Sequence, residues 1–186
     1  MNKLNLGCGN NLYEGYVNVD KYGTPDLKFD LETFPWPWET SSIDEIKMNH
    51  VLEHLGQLTD VFINIIKELY RVSKPEAVWE IVVPHPKCDD YASDPTHVRP
   101  ITPMVLSLFN KKLNREWVKE KFATSTLGLY HDVDIEVESY NYSLMEPWRT
   151  KIQNQKITDN EMNRAVASYF NTINEIQMKV RVHKEN

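Results

Sequence analysis

Gly7-Cys8-Gly9 follows the apolar run Leu4-Asn5-Leu6, and the acid Asp20 closes a second apolar run, Val17-Asn18-Val19. Glycine at the carboxyl end of a strand lets a ligand approach backbone N–H groups, because no Cβ intervenes. An acid at the tip of the neighbouring strand is placed to accept two hydrogen bonds from a ribose. Together these residues imply a site for a small molecule that carries an adenosine. A lone Gly-x-Gly also fits a plain tight exit from a strand, so the spacing has to discriminate.

A dinucleotide site needs G-x-G-x-x-G opening a helix that faces a pyrophosphate, with the acid about 20 residues further on. Here Asn10 and Asn11 follow Gly9, no third glycine is present, and ten residues separate Gly9 from Asp20. That gap leaves little room for a crossover helix. Pyrophosphate depends on the N-terminus of such a helix, whereas a ligand without phosphates does not. The spacing therefore favours S-adenosylmethionine over NAD and disfavours a nicotinamide oxidoreductase.

Methyl transfer from a sulfonium is an in-line displacement in which the protein chiefly supplies alignment. A base is required only where the acceptor keeps a proton, as a hydroxyl does. His50, His85 and His97 are the candidates, with His50 first for its position at a strand end and His97 second. His85, Cys88, Asp94 and His97 fall within thirteen residues and are metal-ligand types. Zinc motifs use tighter spacing, so no metal is expected.

The elements that must hold these residues follow from periodicity. Residues 3–7, 16–20 and 27–31 read as strands, the third ending on the acid-containing pair Asp30-Leu31. Phe34-Pro35-Trp36-Pro37-Trp38 is a rigid aromatic loop whose tryptophans are expected to pack on the core. Ile43 to His50 reads as a fourth strand that runs into the turn His50-Val51-Leu52-Glu53-His54-Leu55. Thr59 is expected to cap a helix with Val61, Phe62, Ile65, Ile66, Leu69 and Tyr70 on one face, stopped by Pro75. Ala77 to Val83 is a fifth strand.

Pro84 to Thr102 is a long loop of the kind that often carries function. Thr102-Pro103 reads as a cap and first helical residue, with Val105, Leu106, Phe109 and Leu113 forming an apolar face that Trp117, Val118 and Phe122 continue. Asp134–Leu144 and Ile173–His183 alternate as two closing strands around a helix over Glu161–Phe170, and form an antiparallel pair at the sheet edge. The whole reads as an α/β protein: a Rossmann-like open sheet, mostly parallel with an antiparallel edge strand and helices on both faces.

With 186 residues, 41% hydrophobic content and five tryptophans, one globular domain is expected over 1–186. It divides into a cofactor-binding core over 1–84, a loop and helical cover over 85–130, and closing strands and helix over 131–186. The net charge of −6 argues against a duplex nucleic-acid surface. No run reaches the roughly 20 apolar residues of a membrane span. Two cysteines, Cys8 and Cys88, are too few for a disulfide framework, and with no signal peptide at the start a reducing cytoplasm is expected.

Six blocks in order strengthen this reading: Leu4 to Gly9, Gly15-Tyr16-Val17-Asn18-Val19-Asp20, Asp30-Leu31, the aromatic-proline loop with Asp44-Glu45-Ile46, His50 to Leu55, and Glu68-Leu69-Tyr70-Arg71-Val72-Ser73-Lys74-Pro75. In these the chain resembles the class I S-adenosylmethionine-dependent methyltransferases, in the short bacterial and viral branch of their type 11-like group. Asp94 to Arg99 also resembles a segment of that group.

The resemblance implies S-adenosylmethionine as cofactor. Gly7, Gly9 and the Cys8 N–H would meet its methionine part, Asp20 both ribose hydroxyls, and Asp30 and Leu31 the adenine edge. Asn49 and His50 would lie near the sulfonium and the acceptor. It implies a small-molecule methyl acceptor, a sugar or other hydroxyl compound. The exposed first-strand region invites a partner, with a homodimer as one option. The chain departs from the group in Glu76-Ala77, where Gly-Gly is usual, in a first crossover shortened to a turn, and in the absence of helices before the first strand. The shortened crossover and the absence of helices before the first strand motivate a second reading: a catalytically inactive cofactor-binding or scaffolding protein with the same fold.

Overall fold

The computed structural model describes residues 1–184. Strands β1 (Lys3–Leu6), β2 (Val17–Asp20), β3 (Leu27–Lys28), β4 (Ile43–Asn49), β5 (Ser73–Pro84), β6 (Ile135–Leu144) and β7 (Ile173–Val182) form one sheet in the order β3-β2-β1-β4-β5-β7-β6. The pairs among β1 to β5 are parallel, and β7 runs antiparallel to both β5 and β6. This is the Rossmann-like mixed sheet expected from the residue pattern, flanked by helices. Strand order reverses between β1 and β4, and ligands of open α/β sheets bind outside the carboxyl ends of the strands at such a point.

Side chains alternate across each strand. One row, with Leu4, Leu6, Ile46, Met48, Trp79, Ile81 and Val180, is buried. It packs with Phe62, Ile65, Ile66 and Leu69 of helix α1 (Thr59–Val72) in a single core. The opposite row is polar even on the central strand β4. Lys3 pairs with Glu45 at 2.7 Å, Lys47 with Glu80 at 2.8 Å, and Glu138 with Lys179 and Arg181 at 3.0 and 2.8 Å. Parallel strands buried on both faces read as continuous apolar runs; here the alternation marks a second face that carries charge.

Several expected boundaries shift. β3 stops at Lys28, because Asp30 turns the chain: its Oδ1 accepts the Glu32 N–H at 3.0 Å, an Asx turn that competes with a strand. Thr59 is the first residue of α1 and not its cap, since Leu58 holds that position without a side-chain hydrogen bond. Pro75 does not stop the helix. The chain turns extended at Ser73, and Pro75 lies inside β5 where the register with β4 jumps from Ile43–Ser73 to Glu45–Val78. An irregularity of that kind tolerates the missing proline N–H.

Thr102 caps α3 (Pro103–Ser107) as expected, but Asn110 then caps a separate α4 (Lys111–Lys119), and Val118 and Phe122 face solvent instead of extending the apolar face. Three further helices are α2 (Asp89–Ser93), α5 (Leu127–His131) and the unanticipated α6 (Trp148–Gln153). The expected late helix is α7 (Asp159–Ser168), closed by a capping box between Thr158 and Glu161.

Candidate functional site

The ten-residue link from β1 to β2 holds no helix and is kept in place by buried amides. Asn5 Nδ2 donates to the Asn11 carbonyl and to Asn18 Oδ1, both at 2.8 Å. Asn18 in turn donates its N–H and its Nδ2 to Asp26 Oδ2 at 2.8 Å. These bonds hold the Asp26 carboxyl below its ordinary range, the backbone donor first. The network supplies the rigidity that a packed crossover helix would otherwise give.

Gly7 ends β1 at φ +63°, and a Cβ there would stand 2.5 Å from Cγ2 of Val51. Its glycine is therefore required twice, by backbone conformation and by the close approach of the segment after β4. Cys8 is buried, and its N–H donates to the Val19 carbonyl at 3.0 Å. The expected Cys8 donor is thus committed to β2, where it closes the turn. Gly9, at φ +50°, donates its N–H to Asp20 Oδ2 at 2.9 Å, and Tyr22 donates to Oδ1 at 2.8 Å. Each carboxylate oxygen keeps a second lone pair for a hydroxyl.

Gly7, Asp20, Asp30, Leu31 and His50 line one crevice of about 210 Å³, together with Lys21, Phe29, Glu32, Val51, His54 and Leu55. Gly9 stands outside that lining. Asn49, on the other side of the strand tip, faces a separate hollow beside Lys47, Glu80 and Glu175. Three carboxylates in the crevice, Asp20, Asp30 and Glu32, outnumber its one lysine, Lys21. That balance suits a cationic ligand. Ligand clefts commonly span about 300–1,000 Å³, so the crevice is smaller than most.

His50 takes a left-handed φ of 54° and donates its N–H to the Val82 carbonyl at 2.8 Å. This turns its ring between two acids, with Nε2 3.0 Å from Glu175 Oε1 and Nδ1 3.3 Å from Glu53 Oε1. The Glu53 contact, against an opposing effect of burial and with help from Glu175, raises the imidazole above its ordinary value.

His97 does not reach the crevice. Its Nδ1 donates to the Tyr91 carbonyl at 2.9 Å and its ring lies 4.6 Å from that of His54. His85 and Cys88 lie elsewhere, His85 edge-on to Tyr142 and Cys88 Sγ against the Asn174 carbonyl. The grouping of His85, Cys88, Asp94 and His97 weighed from the sequence is not assembled.

Sequence reasoning missed Glu53, His54 and Glu175. Glu175 could be found only from the β5–β7 register, which sets it opposite Pro84 at the strand ends. Glu53 and His54 lay in a noted block, but nothing in the linear order separates a buried acid from a solvent-facing one.

The chain matches no family model and no curated protein. Among solved structures it resembles an S-adenosylmethionine-dependent methyltransferase from Archaeoglobus fulgidus, with TM-score 0.64 and 17% identity over 97% of this chain and 85% of the other. It also resembles the cyclase SpnF, with TM-score 0.54 and 12% identity over 99% and 76%. A third match is the Burkholderia thailandensis 1,6-didemethyltoxoflavin-N1-methyltransferase solved with S-adenosylhomocysteine, with TM-score 0.51 and 14% identity over 98% and 71%. At these identities the likeness establishes the fold: that of the class I methyltransferases.

Proposed function

We propose that the protein transfers a methyl group from S-adenosylmethionine to a hydroxyl of a small molecule. The observation that carries this reading is that Gly7, Asp20 and Asp30-Leu31, from three separate segments, line one acid-rich crevice at the point where strand order reverses. Asp20 would hold the ribose, and Asp30 and Leu31 the adenine edge, with Phe29 and Leu55 as apolar walls. The cofactor supplies an activated methyl group when bound. The chain's own residues supply position and a proton acceptor.

His50 stands where the crevice meets the hollow lined by Asn49 and Glu175. A hydroxyl acceptor there would give its proton to the imidazole in its neutral form; Glu53 and Glu175 favour the cation, so His50 must first release a proton to solvent. Both ring nitrogens face these acids, so Nε2 must leave Glu175 to meet a substrate. The net charge of −6 favours a small acceptor over a polyanion. A cytoplasmic setting fits two free cysteines, and among the described residues no helix is long and apolar enough to cross a membrane.

The cyclase SpnF shows that this fold also serves other chemistry. Calorimetry with S-adenosylmethionine, followed by assay of S-adenosylhomocysteine with a panel of hydroxylated acceptors, tests the reading. Binding with turnover is expected. Binding without turnover on any acceptor would support the inactive, scaffolding alternative, and the absence of binding would refute both.

A further inference from the structure

Glu53 is fully buried, and neither of its carboxylate oxygens has a hydrogen-bond partner. Among the described residues the only basic group recorded within 4 Å of it is His50, whose Nδ1 approaches Oε1 without hydrogen-bond alignment. Burial of an ionised carboxylate is costly unless the charge is paired or bound to a metal, and a buried unsatisfied group in a native fold calls for an explanation. The carboxylate does not stand alone. Ligand atoms of Glu53, His54 and His97 lie within 4.8 Å of one another.

The two imidazoles are prepared in the manner of metal ligands. His97 Nδ1 faces the Tyr91 carbonyl at 2.9 Å and must donate to it, which leaves Nε2 with a lone pair. His54 Nδ1 faces Thr96 Oγ1 at 2.9 Å, and that hydroxyl gives its own proton to Asp94 Oδ1 at 2.6 Å. His54 therefore donates from Nδ1 as well. Histidine ligands commonly fix their tautomer through such outer bonds to a carbonyl or to a hydroxyl–carboxylate relay. Tyr91 stacks on His97, with ring centroids 5.2 Å apart. Asp94 Oδ2 stands 3.9 Å from His97 Nε2.

The backbone brings the parts together. The Val98 and Arg99 N–H groups donate to the Glu53 carbonyl at 2.8 and 3.4 Å, clamping the loop after α2 onto the turn after β4.

We infer that Glu53, His54 and His97 form a binding site for one divalent transition-metal ion, of the zinc type, at the rim of the crevice. Two imidazoles and one carboxylate suit zinc and its neighbours, and leave coordination positions open. Zinc ligands at about 2.0–2.2 Å stand about 3.4 Å apart, so the three side chains draw inward on binding. His54 belongs both to this cluster and to the crevice lining, which sets the cluster at the edge of the proposed cofactor site. Use of the ion to hold and polarise an acceptor oxygen rests on the methyl-transfer reading; the existence of the site does not.

The test is titration of chelator-stripped full-length protein with zinc by calorimetry, and with cobalt by visible absorption. We expect one ion per chain, with affinity lowered at least about 100-fold in His54→Gln and His97→Gln, and about 10–100-fold in the outer-shell Thr96→Val. His131→Gln, outside the cluster, keeps wild-type affinity. Circular dichroism verifies that each variant folds, and the histidine variants carry the test should Glu53→Gln fail to fold. Equal zinc affinity in wild type, His54→Gln and His97→Gln, or no binding by folded wild type, overturns the site. Separate calorimetry with S-adenosylmethionine distinguishes the two conclusions, since zinc binding without cofactor binding removes the methyl-transfer reading alone.

Discussion

Two groups of acids sit side by side at the carboxyl ends of the strands and solve opposite problems. Asp20 and Asp30 lie in an open crevice and are met by backbone donors, Gly9 and Tyr22 for one and Glu32 for the other. Their charge is supported while spare lone pairs face the crevice, which is what recognition of hydroxyl and amine groups requires. Glu53, one short turn from His50, is sealed from water with no hydrogen bond to its oxygens. The first pair is complete without a ligand and needs only to be matched by one. Glu53 is incomplete and is explained by an ion that the histidines beside it are oriented to share.

The largest effect expected on the crevice side is that of Gly7→Ala. A Cβ 2.5 Å from Val51, at φ +63°, combines overpacking with backbone strain and should lower stability by about 2–5 kcal/mol, measured by urea unfolding. Gly9→Ala has the same sign of φ but no atom within 4 Å, and should cost only the conformational part, about 1–2 kcal/mol. Equal losses at both positions would show that the approach of Val51 to Gly7 is unimportant.

Asp20→Ala should weaken S-adenosylmethionine binding by about 1.5–3 kcal/mol, the range for hydrogen bonds to a charged group, as read by calorimetry. Unchanged affinity would remove Asp20 from the ribose. On the Glu53 side the readout is zinc. Glu53→Leu removes a carboxylate that His50 Nδ1 approaches at 3.3 Å and should abolish the stabilisation of the protein by zinc in thermal melts. Undiminished stabilisation would remove Glu53 from the ion.

The smallest effect belongs to a third kind of carboxylate. Glu138, on the polar face of the sheet, is held at about 2, from an ordinary value of 4.5, by hydrogen bonds from Arg181 first and Lys179 second. Its folded value is depressed, so its contribution to stability is complete above about pH 4.5 and is lost as pH falls through about 2. In a half-exposed pair this is worth no more than about 1 kcal/mol. Urea unfolding between pH 5 and 2 should show a correspondingly shallower decline in Glu138→Gln.

Much of the crevice was legible because its parts are local. A Gly-x-Gly turn, a strand ending on Asp20, and the Asp30-Leu31 pair each follow from a few adjacent residues. The alternation in β6 and β7 likewise disclosed the closing strands. What could not be read depended on competition between local and distant demands. Cys8 was expected to offer its N–H outward, but β2 claims it. His97 was expected near the reacting groups, but the clamp of residues 98 and 99 onto Glu53 carries it to His54. Pro75 was read as a helix stop, yet a register shift against β4 absorbs it.

Sequence alone determined which segments of the opening half form strands, though not where β3 ends or β5 begins, together with the turn chemistry of Gly7 to Asp20 and the spacing that disfavours a dinucleotide, because each rests on sterics and periodicity within short stretches. Only the tertiary structure decided which acids would be wet and which dry, and which of the six histidines would meet. Burial and the pairing of side chains 43 residues apart, as in His54 and His97, depend on how the whole chain closes around its core.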